Sequence, residues 1–514
     1  MNNQTSPAGR ELECWIAFAL AAAIVVIVGM QAAPLVNWDG LSALAHAYDV
    51  LFRDGSVNIA LLGFVEPPAS VICYIPLVAI AHLLGNVEIA AVMFGALFMG
   101  IAALLTARLL VRMSLPLYAR IVLLGLLVLH PLTLSYAALG SPVILLLVAV
   151  LGIMKSIMSW SDDGHLRDLI GCSLYAALAV LTRYEMVFVV IAAAGYIGSR
   201  SYRGEAPWQR IEGTLITFLL PVAYFSALWI GANSIIMGDA WYFLKHTFGG
   251  PDIFTQNTFV AVVVLPLIAF PFIYALAYHE ARPPGPGHGP AAVSLLVMSA
   301  IIPPLLIPGA YASLGDGKIW PALCSITIMA VGGGVLLAAA FLSQYAPGDT
   351  KLTHRLRGTV VVAILSVGLL ATVRVGGIVS PPTTHIDTLR GNVAFGQEAS
   401  AERDLGETIA GYLVGPGRED NRAVVVGWPG FAVAFFARQR VSPLHRPLPA
   451  IEVYPESRVY REPVERLQPG DLLVILEDER AWASALAPVS MTKLPRELGS
   501  WQVYQIRTYY WLAP

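Results

Sequence analysis

Apolar runs long enough to cross a lipid bilayer recur along the first three quarters of this chain. A spanning helix needs about 20 mostly apolar residues, and runs of this kind return from residue 14 up to residue 378. Of the 514 residues, 57% are apolar and only 13% are charged, far less charge than a water-soluble protein carries. The pattern predicts an α-helical polytopic membrane protein whose surroundings are the lipid bilayer.

The candidate spanning helices follow from these runs and from the polar turns between them. They are, approximately, residues 14–33, 87–111, 119–139, 142–159, 167–182, 186–199, 211–236, 257–279, 290–309, 319–342 and 358–378. The stretch 70–84 is apolar but short for a span. The first run is long for a signal peptide and more membrane segments follow it, so we expect an anchor that is retained.

The distribution of lysine and arginine indicates whether 70–84 crosses the membrane. If it does not cross and the N-terminus is cytoplasmic, thirteen basic residues of the membrane-spanning part fall inside and five fall outside. If it crosses, most of them fall outside. We therefore expect about 11 spans, interfacial helices in an outer loop at 36–86, and a multi-pass protein of a bacterial-type inner or plasma membrane with a cytoplasmic N-terminus.

Charged residues become frequent after residue 384. Residues 385–514 hold 30 of the 66 charged residues in one quarter of the chain. Here "RAVVVGWPGFAVAFFARQ" is typical of a strand, a turn and a helix, and "DLLVILED" and "WQVYQIRTYYWL" are typical of further strands. The sequence therefore predicts a membrane domain at 1–384 and a small soluble α/β domain at 385–514 on the extracytoplasmic side.

Several classes of function have no support in the sequence. The net charge of −2 and the absence of a basic run argue against a nucleic-acid partner. All four cysteines lie in apolar segments, which is not the pattern of a disulfide framework or of a CxxC metal site. There is no phosphate-binding Walker loop, GxGxxG motif, HExxH motif or Ser-His-Asp order.

On this topology, ionisable residues from separate parts of the chain collect at the outer ends of the helices. They are Asp39, Glu66, Arg183, Glu185, Asp239, Lys245, His246, Asp316 and Lys318. Ionisable groups at membrane depth are costly and usually mark a functional path or cavity. Ordinary loop charges are the alternative, but in "LTRYEMVFVV" the Arg–Glu pair interrupts two apolar runs, which a solvated loop does not explain.

Four segments that contain some of these residues resemble segments of the GT-C superfamily in their order and spacing. The multi-span glycosyltransferases of this superfamily take sugars from polyprenyl-phosphate carriers. The four segments are "NWDG" after the first span, "FVEPPAS", "LTRYE" (similar to a Thr-Arg-Pro-Glu type segment) and "NSIIMGDAWYFLKH" (similar to Asn-x-x-x-x-Gly-Asp-Pro-x-Tyr-Phe). The likeness covers residues 10–380 and is nearest to the branch of protein O-mannosyltransferases and the lipid A aminoarabinose transferase. It departs from the pattern at Gly40, where several relatives have a second acid, and at Ala240, which replaces the proline.

The resemblance implies a hexosyl- or pentosyltransferase of cell-envelope glycan biosynthesis. The partners would be a polyprenyl-phosphate-linked sugar donor and an extracytoplasmic glycan, lipid or protein acceptor. An outer-face polysaccharide polymerase or ligase and a non-enzymatic transporter of lipid-linked sugars are the alternatives. The former usually has a long outer loop between late spans, and the latter needs charges or broken helices deep in the membrane.

Sugar transfer of this kind needs a base for the acceptor hydroxyl, and Asp39 is the candidate for an inverting reaction. Capping of the helix that follows is the alternative for Asp39, and the two are compatible. Glu66 precedes two prolines, which fix the direction of the chain. Asp39 and Glu66 could together hold Mg²⁺ or Mn²⁺, although Glu66 as an ordinary interfacial acid remains open.

Positive charge is needed where the carrier phosphate departs. Arg183 is the preferred residue because a guanidinium can bind two phosphate oxygens at once, and Glu185 would orient it; a purely structural Arg–Glu pair is the alternative. Further candidates for substrate or phosphate binding are Asp239, Lys245, His246 and Arg374. For Lys245 and His246, snorkelling to the membrane interface explains their position equally well.

Overall fold

The structure of the protein is a computed structural model. The structure describes residues 7–31, 38–52, 57–64, 66–203 and 207–243, four positions between 332 and 339, and residues 394–413, 422–426, 430–440, 451–454, 471–476, 489–493 and 501–509. The contacts between residues in space divide the chain into two compact units. Unit 1 comprises Met1–Met30, Phe64–Ser70 and Val92–Ile386, and unit 2 comprises Gln31–Gly63, Val71–Ala91 and Asp387–Pro514.

The described part of unit 1 is helical. Its helices are α1 (Pro7–Gln31), most of α4 (Ile89–Arg112), α5 (Leu117–Val128), α6 (Pro131–Ala138), α7 (Pro142–Asp163), α8 (Leu166–Thr182), α9 (Val187–Arg203) and α10 (Trp208–Ile236). Within the described residues, α1, α4, α7 and α10 are long and apolar enough to cross a membrane. The protein is therefore an α-helical multi-pass membrane protein.

Helix α7 lies at the centre of unit 1, and its residues from Pro142 to Met154 are all buried. Helices in lipid associate through close packing rather than through the hydrophobic effect, because lipid tails are as apolar as leucine. Glycines allow this packing at two positions. A methyl group at Gly95 of α4 would lie 1.6 Å from the carbonyl oxygen of Ala137 in α6, and one at Gly152 of α7 would lie 2.4 Å from the Tyr175 ring in α8.

Two ion pairs join the beginning of α1 to the end of α4 and to α5. Arg108 Nη2 lies 3.0 Å from Glu11 Oε2, and Arg120 Nη1 lies 2.9 Å from Glu13 Oε2. Helices α1 and α4 are therefore antiparallel, because the N-terminal end of one lies beside the C-terminal end of the other. The chain between them leaves and returns at the opposite end of both helices.

The same end of unit 1 carries a second group of ion pairs. Arg112, at the end of α4, has its Nε 2.9 Å from Asp162 and its Nη2 2.8 Å from Asp163, both at the end of α7. Lys155 of α7 lies 3.6 Å from Asp168 in the first turn of α8. The ends of α4 and α7 and the start of α8 thus form one charged end of the bundle, which we call the basic end.

The predicted span 119–139 is wrong as a single helix, since the structure has α5 and α6 there, separated by Leu129 and His130. Pro131 explains the break, because it has no backbone N–H and disfavours a helical conformation of the residue before it. The predicted spans 257–279, 290–309 and 358–378, and all but four positions of 319–342, lie outside the described residues.

Unit 2 combines two segments of the first loop with the C-terminal part of the chain. It contains α2 (Trp38–Phe52), a 3₁₀ turn (Ile59–Leu61), most of α3 (Ala69–Leu83), α11 (Ala394–Leu413) and α12 (Gly430–Arg440). Helix α3 has 15 residues, about 22 Å, so it is shorter than the roughly 30 Å hydrocarbon core.

A five-stranded mixed sheet forms the centre of the C-terminal part. Its strands are β1 (Ala423–Val426), β2 (Ile451–Tyr454), β3 (Leu472–Leu476), β4 (Val489–Lys493) and β5 (Trp501–Tyr509), in the order β2-β1-β3-β5-β4. Strand β1 is parallel to β2 and β3, whereas β5 is antiparallel to β3 and β4. Helix α12 makes the crossover from β1 to β2, as a parallel pair requires.

Candidate active site

Arg183 lies in a break between two helices of unit 1. Helix α8 ends at Thr182, whose hydroxyl donates a 2.7 Å hydrogen bond to the carbonyl of Leu178. Arg183 is extended, with φ −151° and ψ 124°, and it is half-buried. A 3₁₀ turn, Tyr184–Met186, follows and contains Glu185 before α9 begins. The predicted interruption of the apolar runs is thus a turn between two helices that holds both charged residues.

Tyr184, the residue after Arg183, connects this turn to α10. The Nε1–H of Trp229 donates a 3.0 Å hydrogen bond to the Tyr184 hydroxyl. The Trp229 ring is stacked on Phe64, with centroids 5.1 Å apart and ring planes inclined by 4°, and the Tyr184 ring lies 4.9 Å from Phe243. We call Phe64, Tyr184, Trp229 and Phe243 the aromatic cluster; it joins three segments that are distant in the sequence.

Glu66 lies two residues after Phe64 and is half-buried. It acts electrostatically on Tyr184. Burial raises the pKa of the Tyr184 hydroxyl, the hydrogen bond from Trp229 lowers it, and the nearby Glu66 carboxylate raises it again. The pKa of Tyr184 therefore lies above its ordinary value of about 10, and its hydroxyl stays protonated with a hydrogen to donate.

Asp239 lies between Trp229 and Phe243 of the aromatic cluster, in a turn after α10. Gly238 has φ +72°, a conformation that glycine adopts without strain. Asp239 Oδ1 accepts a 3.0 Å hydrogen bond from the backbone N–H of Trp241, and its carbonyl accepts one of 3.1 Å from Tyr242. One carboxylate oxygen of Asp239 thus stabilises this turn, which positions Phe243.

Asn233 is a fully buried polar residue one turn after Trp229 in α10. Its Nδ2 donates a 2.9 Å hydrogen bond to the Trp229 carbonyl. Its Oδ1 is buried and accepts no hydrogen bond from any described residue. Buried amide oxygens usually accept a hydrogen bond. The Asn233 Oδ1 is therefore a hydrogen-bond acceptor close to the aromatic cluster.

The aromatic cluster and the basic end lie at opposite ends of α8. Asp168, at the start of α8, pairs with Lys155 at the basic end, while Arg183 follows the last residue of the helix. Seventeen helical residues rise about 25 Å, most of the thickness of a bilayer core. Glu66, Arg183 and Asp239 are therefore grouped around the end of the bundle away from its basic end.

The other predicted site residues are not all part of this group. Asp39 is the second residue of α2 and belongs to unit 2. Lys245, His246 and Arg374, like Asp316 and Lys318, lie outside the described residues. Among the residues that the structure describes, no three His, Cys, Asp or Glu side chains are grouped so that they could hold a metal ion. The proposed metal ligands Asp39 and Glu66 belong to different units.

Sequence reasoning did not identify Phe64, Tyr184 and Trp229 as members of the site. Each is an aromatic residue near or within an apolar run, the usual pattern of core or lipid-facing residues. For two of them the sequence offered one indication, because Phe64 and Tyr184 lie within two residues of a predicted site residue. Trp229 has no such neighbour, and only the fold brings it to Tyr184.

No protein-family model and no curated protein sequence matches this chain. Solved structures do resemble it. The structure of ArnT from Cupriavidus metallidurans bound to undecaprenyl phosphate has 15% identity and a TM-score of 0.45, and the alignment covers 95% of this chain and 97% of that one.

Two further solved structures also resemble this chain. The arabinofuranosyltransferase AftD from Mycobacteria has 14% identity and a TM-score of 0.44, with 96% of this chain and 40% of that one covered. The oligosaccharyltransferase AglB from Archaeoglobus fulgidus, in complex with an inhibitory peptide and a dolichol-phosphate, has 11% identity and a TM-score of 0.43, with 98% and 75% covered. TM-scores below 0.5 describe a distant likeness.

Proposed function

We propose that the protein transfers a sugar from a polyprenyl-phosphate carrier to an extracytoplasmic glycan, lipid or protein acceptor, with inversion at the anomeric carbon. The observation that carries this proposal is the grouping of Glu66, Arg183 and Asp239 around the aromatic cluster at one end of a helical membrane bundle. A lipid-linked donor presents its phosphate at the membrane surface and its sugar outside. Cationic, acidic and aromatic groups at a helix end suit such a ligand.

We propose that the basic end of the bundle is cytoplasmic. Arg108, Arg112, Arg120 and Lys155 all lie at the basic end, and cytoplasmic loops are enriched in lysine and arginine. The aromatic cluster then lies at the extracytoplasmic end, where nucleotide sugars are not supplied and a lipid-linked donor is required. The antiparallel arrangement of α1 and α4 is consistent with this orientation, because the chain between them starts and ends at that side.

Asp39 is the proposed base. Its carboxylate takes the proton of the acceptor hydroxyl, and the acceptor oxygen forms a bond to the anomeric carbon on the face opposite the phosphate. The bond from that carbon to the phosphate oxygen breaks, and its electron pair leaves with the polyprenyl phosphate. An Asp in the first turn of α2 is also favourable for that helix, so a structural contribution accompanies the chemical one.

Arg183 is proposed to bind the phosphate as it leaves, because negative charge accumulates on its oxygens as the bond breaks. Glu185, two residues away in the 3₁₀ turn, is proposed to orient the arginine. The Tyr184 hydroxyl connects this turn to α10. Lys245, His246 and Arg374 are proposed as further phosphate contacts. Glu66 is proposed to help Asp39 by orienting the acceptor, or, if Mg²⁺ or Mn²⁺ is used, these two carboxylates would hold the ion.

The test is sugar transfer by the purified full-length protein in lipid vesicles supplied with radiolabelled undecaprenyl-phosphate sugars and a cell-envelope extract as the acceptor source. Asp39→Asn should abolish the incorporation of label, while the variant inserts and is purified in normal amounts. Asp163→Asn is the matched control, because Asp163 is an acid at the basic end and should leave transfer intact. Full transfer by Asp39→Asn would refute the proposed base.

A further inference from the structure

Helix α2 is held by the C-terminal domain through a buried ion pair. Asp49, in the last turn of α2, accepts a hydrogen bond from Arg438 Nη1 of α12, across 389 residues of sequence. Both side chains are almost completely buried, with 7% of Asp49 and 4% of Arg438 exposed. Because burial removes water from both charges, each charge is stabilised mainly by the other. Loss of one partner therefore leaves an uncompensated buried charge.

The guanidinium of Arg438 also bridges to the sheet. Its Nη2 donates a 2.6 Å hydrogen bond to the carbonyl of Ile451, the first residue of β2. One planar group therefore binds α2 on one arm and the sheet on the other, which a lysine cannot do with the same geometry. Next to it, the ring of Tyr48 meets that of Phe435 edge-on at 5.9 Å, and both rings are buried.

A second ion pair connects the domain to the other part of the first loop. Arg403 Nη2 of α11 lies 2.7 Å from Glu88 Oε1, just before α4 begins. Arg403 is 47% exposed, so this pair is more strongly screened than the one between Asp49 and Arg438. The two contacts differ in kind, and the buried pair is the one that fixes α2.

We infer that Arg438 is a positioning residue for Asp39, and that the C-terminal domain sets the placement of the helix that carries this proposed base. Asp39 and Asp49 are ten residues apart in one continuous helix, a rise of about 15 Å. A short helix is stiff, so whatever fixes its last turn also fixes the direction of its first turn. This inference rests on the proposed function for its catalytic consequence, but the placement of α2 can be measured without any substrate.

The first measurement is a distance within unit 2. Spin labels are attached to Asp39→Cys and Asp404→Cys in the full-length protein, with the four native cysteines replaced by alanine, and the distance distribution is recorded by pulsed electron resonance. Arg438→Met should broaden or shift this distribution. The control Arg422→Met should leave it unchanged, because the partner of Arg422 is Asp471 inside the domain.

Two more variants keep the test decisive. Arg438→Lys retains a charge for Asp49 but lacks the second arm to Ile451, so it should fold and give an intermediate broadening. Combining Asp49→Leu with Arg438→Met removes both charges, so it should restore a narrower distribution than Arg438→Met alone. If Arg438→Met does not fold, the result with Arg438→Lys decides. An unchanged distribution in Arg438→Lys, or no recovery in the double variant where Arg438→Met is folded, would overturn the inference.

The second measurement is kinetic and uses proteins with Asp39 intact. Arg438→Lys should lower kcat by about ten- to a hundredfold, because a small displacement of a catalytic group is costly, while KM for the lipid-linked donor stays within about twofold. A purely structural defect would reduce the amount of folded protein but would leave kcat per folded molecule unchanged. If Asp39→Asn retains transfer, the proposed role of Asp39 as the base fails, whereas the distance measurement still reports whether Arg438 places α2.

Discussion

The indole nitrogen of Trp229 donates a 3.0 Å hydrogen bond to the hydroxyl of Tyr184, the residue that follows Arg183 in the chain. This bond fixes the turn between α8 and α9 against α10, and the stacking of Trp229 on Phe64 extends the connection to the segment of Glu66. Two of the proposed site residues thus depend on one tryptophan for their placement.

Trp229→Phe should weaken this arrangement, since phenylalanine keeps an aromatic ring but has no N–H to donate. We expect a loss of about 0.5–1.5 kcal/mol in the free energy of unfolding and a several-fold lower rate of sugar transfer. Thermal denaturation in detergent and the vesicle assay measure the two effects. Trp208→Phe is the matched control on the same helix, because Trp208 is 69% exposed. Equal behaviour of the two variants would show that the hydrogen bond has no role.

Arg183→Lys should lose most activity although it keeps the positive charge. A lysine ammonium cannot replace a planar guanidinium that binds two phosphate oxygens, so we expect a loss of about 2–4 kcal/mol in transition-state stabilisation, or a 10²- to 10³-fold lower rate. Arg108→Lys, which pairs with Glu11 at the basic end, should transfer at the normal rate. Near-normal turnover by Arg183→Lys would assign Arg183 a structural role.

Tyr184→Phe tests whether the tyrosine acts as a neutral hydroxyl. Because burial and Glu66 hold its pKa above the ordinary value, the group carries its proton throughout the working range and does not titrate there. The substitution should therefore lower kcat/KM by a similar factor at every pH between about 6 and 9, without moving either limb of the profile. Loss of an alkaline limb in the variant would mean that Tyr184 ionises during the reaction.

Metal dependence is tested by removal and return of the ion. If Asp39 and Glu66 share Mg²⁺ or Mn²⁺, chelation with EDTA should stop transfer and either ion should restore it. Glu66→Gln should then require about tenfold more metal for half-maximal activity, because the neutral amide binds the cation more weakly. Activity that survives exhaustive chelation would leave Asp39 as a base that acts without a metal.

The orientation of the protein is tested by labelling single cysteines in intact cells with a membrane-impermeant thiol reagent. Tyr202, near the end of α9, is 74% exposed. The hydroxyl of Tyr196 in the same helix lies 3.3 Å from that of Ser161, close to the end of α7, so this end of α9 lies near the basic end. Tyr202→Cys should therefore be protected, whereas Asp404→Cys, exposed on α11, should react. The opposite pattern would invert the proposed topology.

The sequence predicted the parts of this structure that depend on local composition. Apolar runs identified α1, α4, α7 and α10, because about 20 apolar residues can satisfy their backbone in lipid only as a helix. The pattern "RAVVVGWPGFAVAFFARQ" predicted a strand and a helix where the structure has β1 and α12. The break of the predicted span 119–139 at Pro131 was missed, although the proline itself is a local signal.

The relationships between distant residues were not predictable in this way. Asp49 and Arg438 each occur in a mostly apolar helix that carries two charged residues, and neither sequence segment indicates that these two residues pair with each other. Trp229 likewise has no sequence feature that sets it apart from the other aromatic residues of α10. Such pairings depend on how the helices pack, and a single sequence carries no record of that packing.

The separation of Asp49 from Arg438 also has a consequence for biosynthesis. A ribosome that adds roughly 5–20 residues per second needs about 20–80 seconds to travel the 389 residues between them. Throughout that time α2 has left the ribosome, but the partner of its buried carboxylate does not yet exist. The helix that carries Asp39 therefore reaches its final placement only when translation is almost complete. A chain that terminates before residue 438 therefore contains Asp49 without the arginine that compensates its charge.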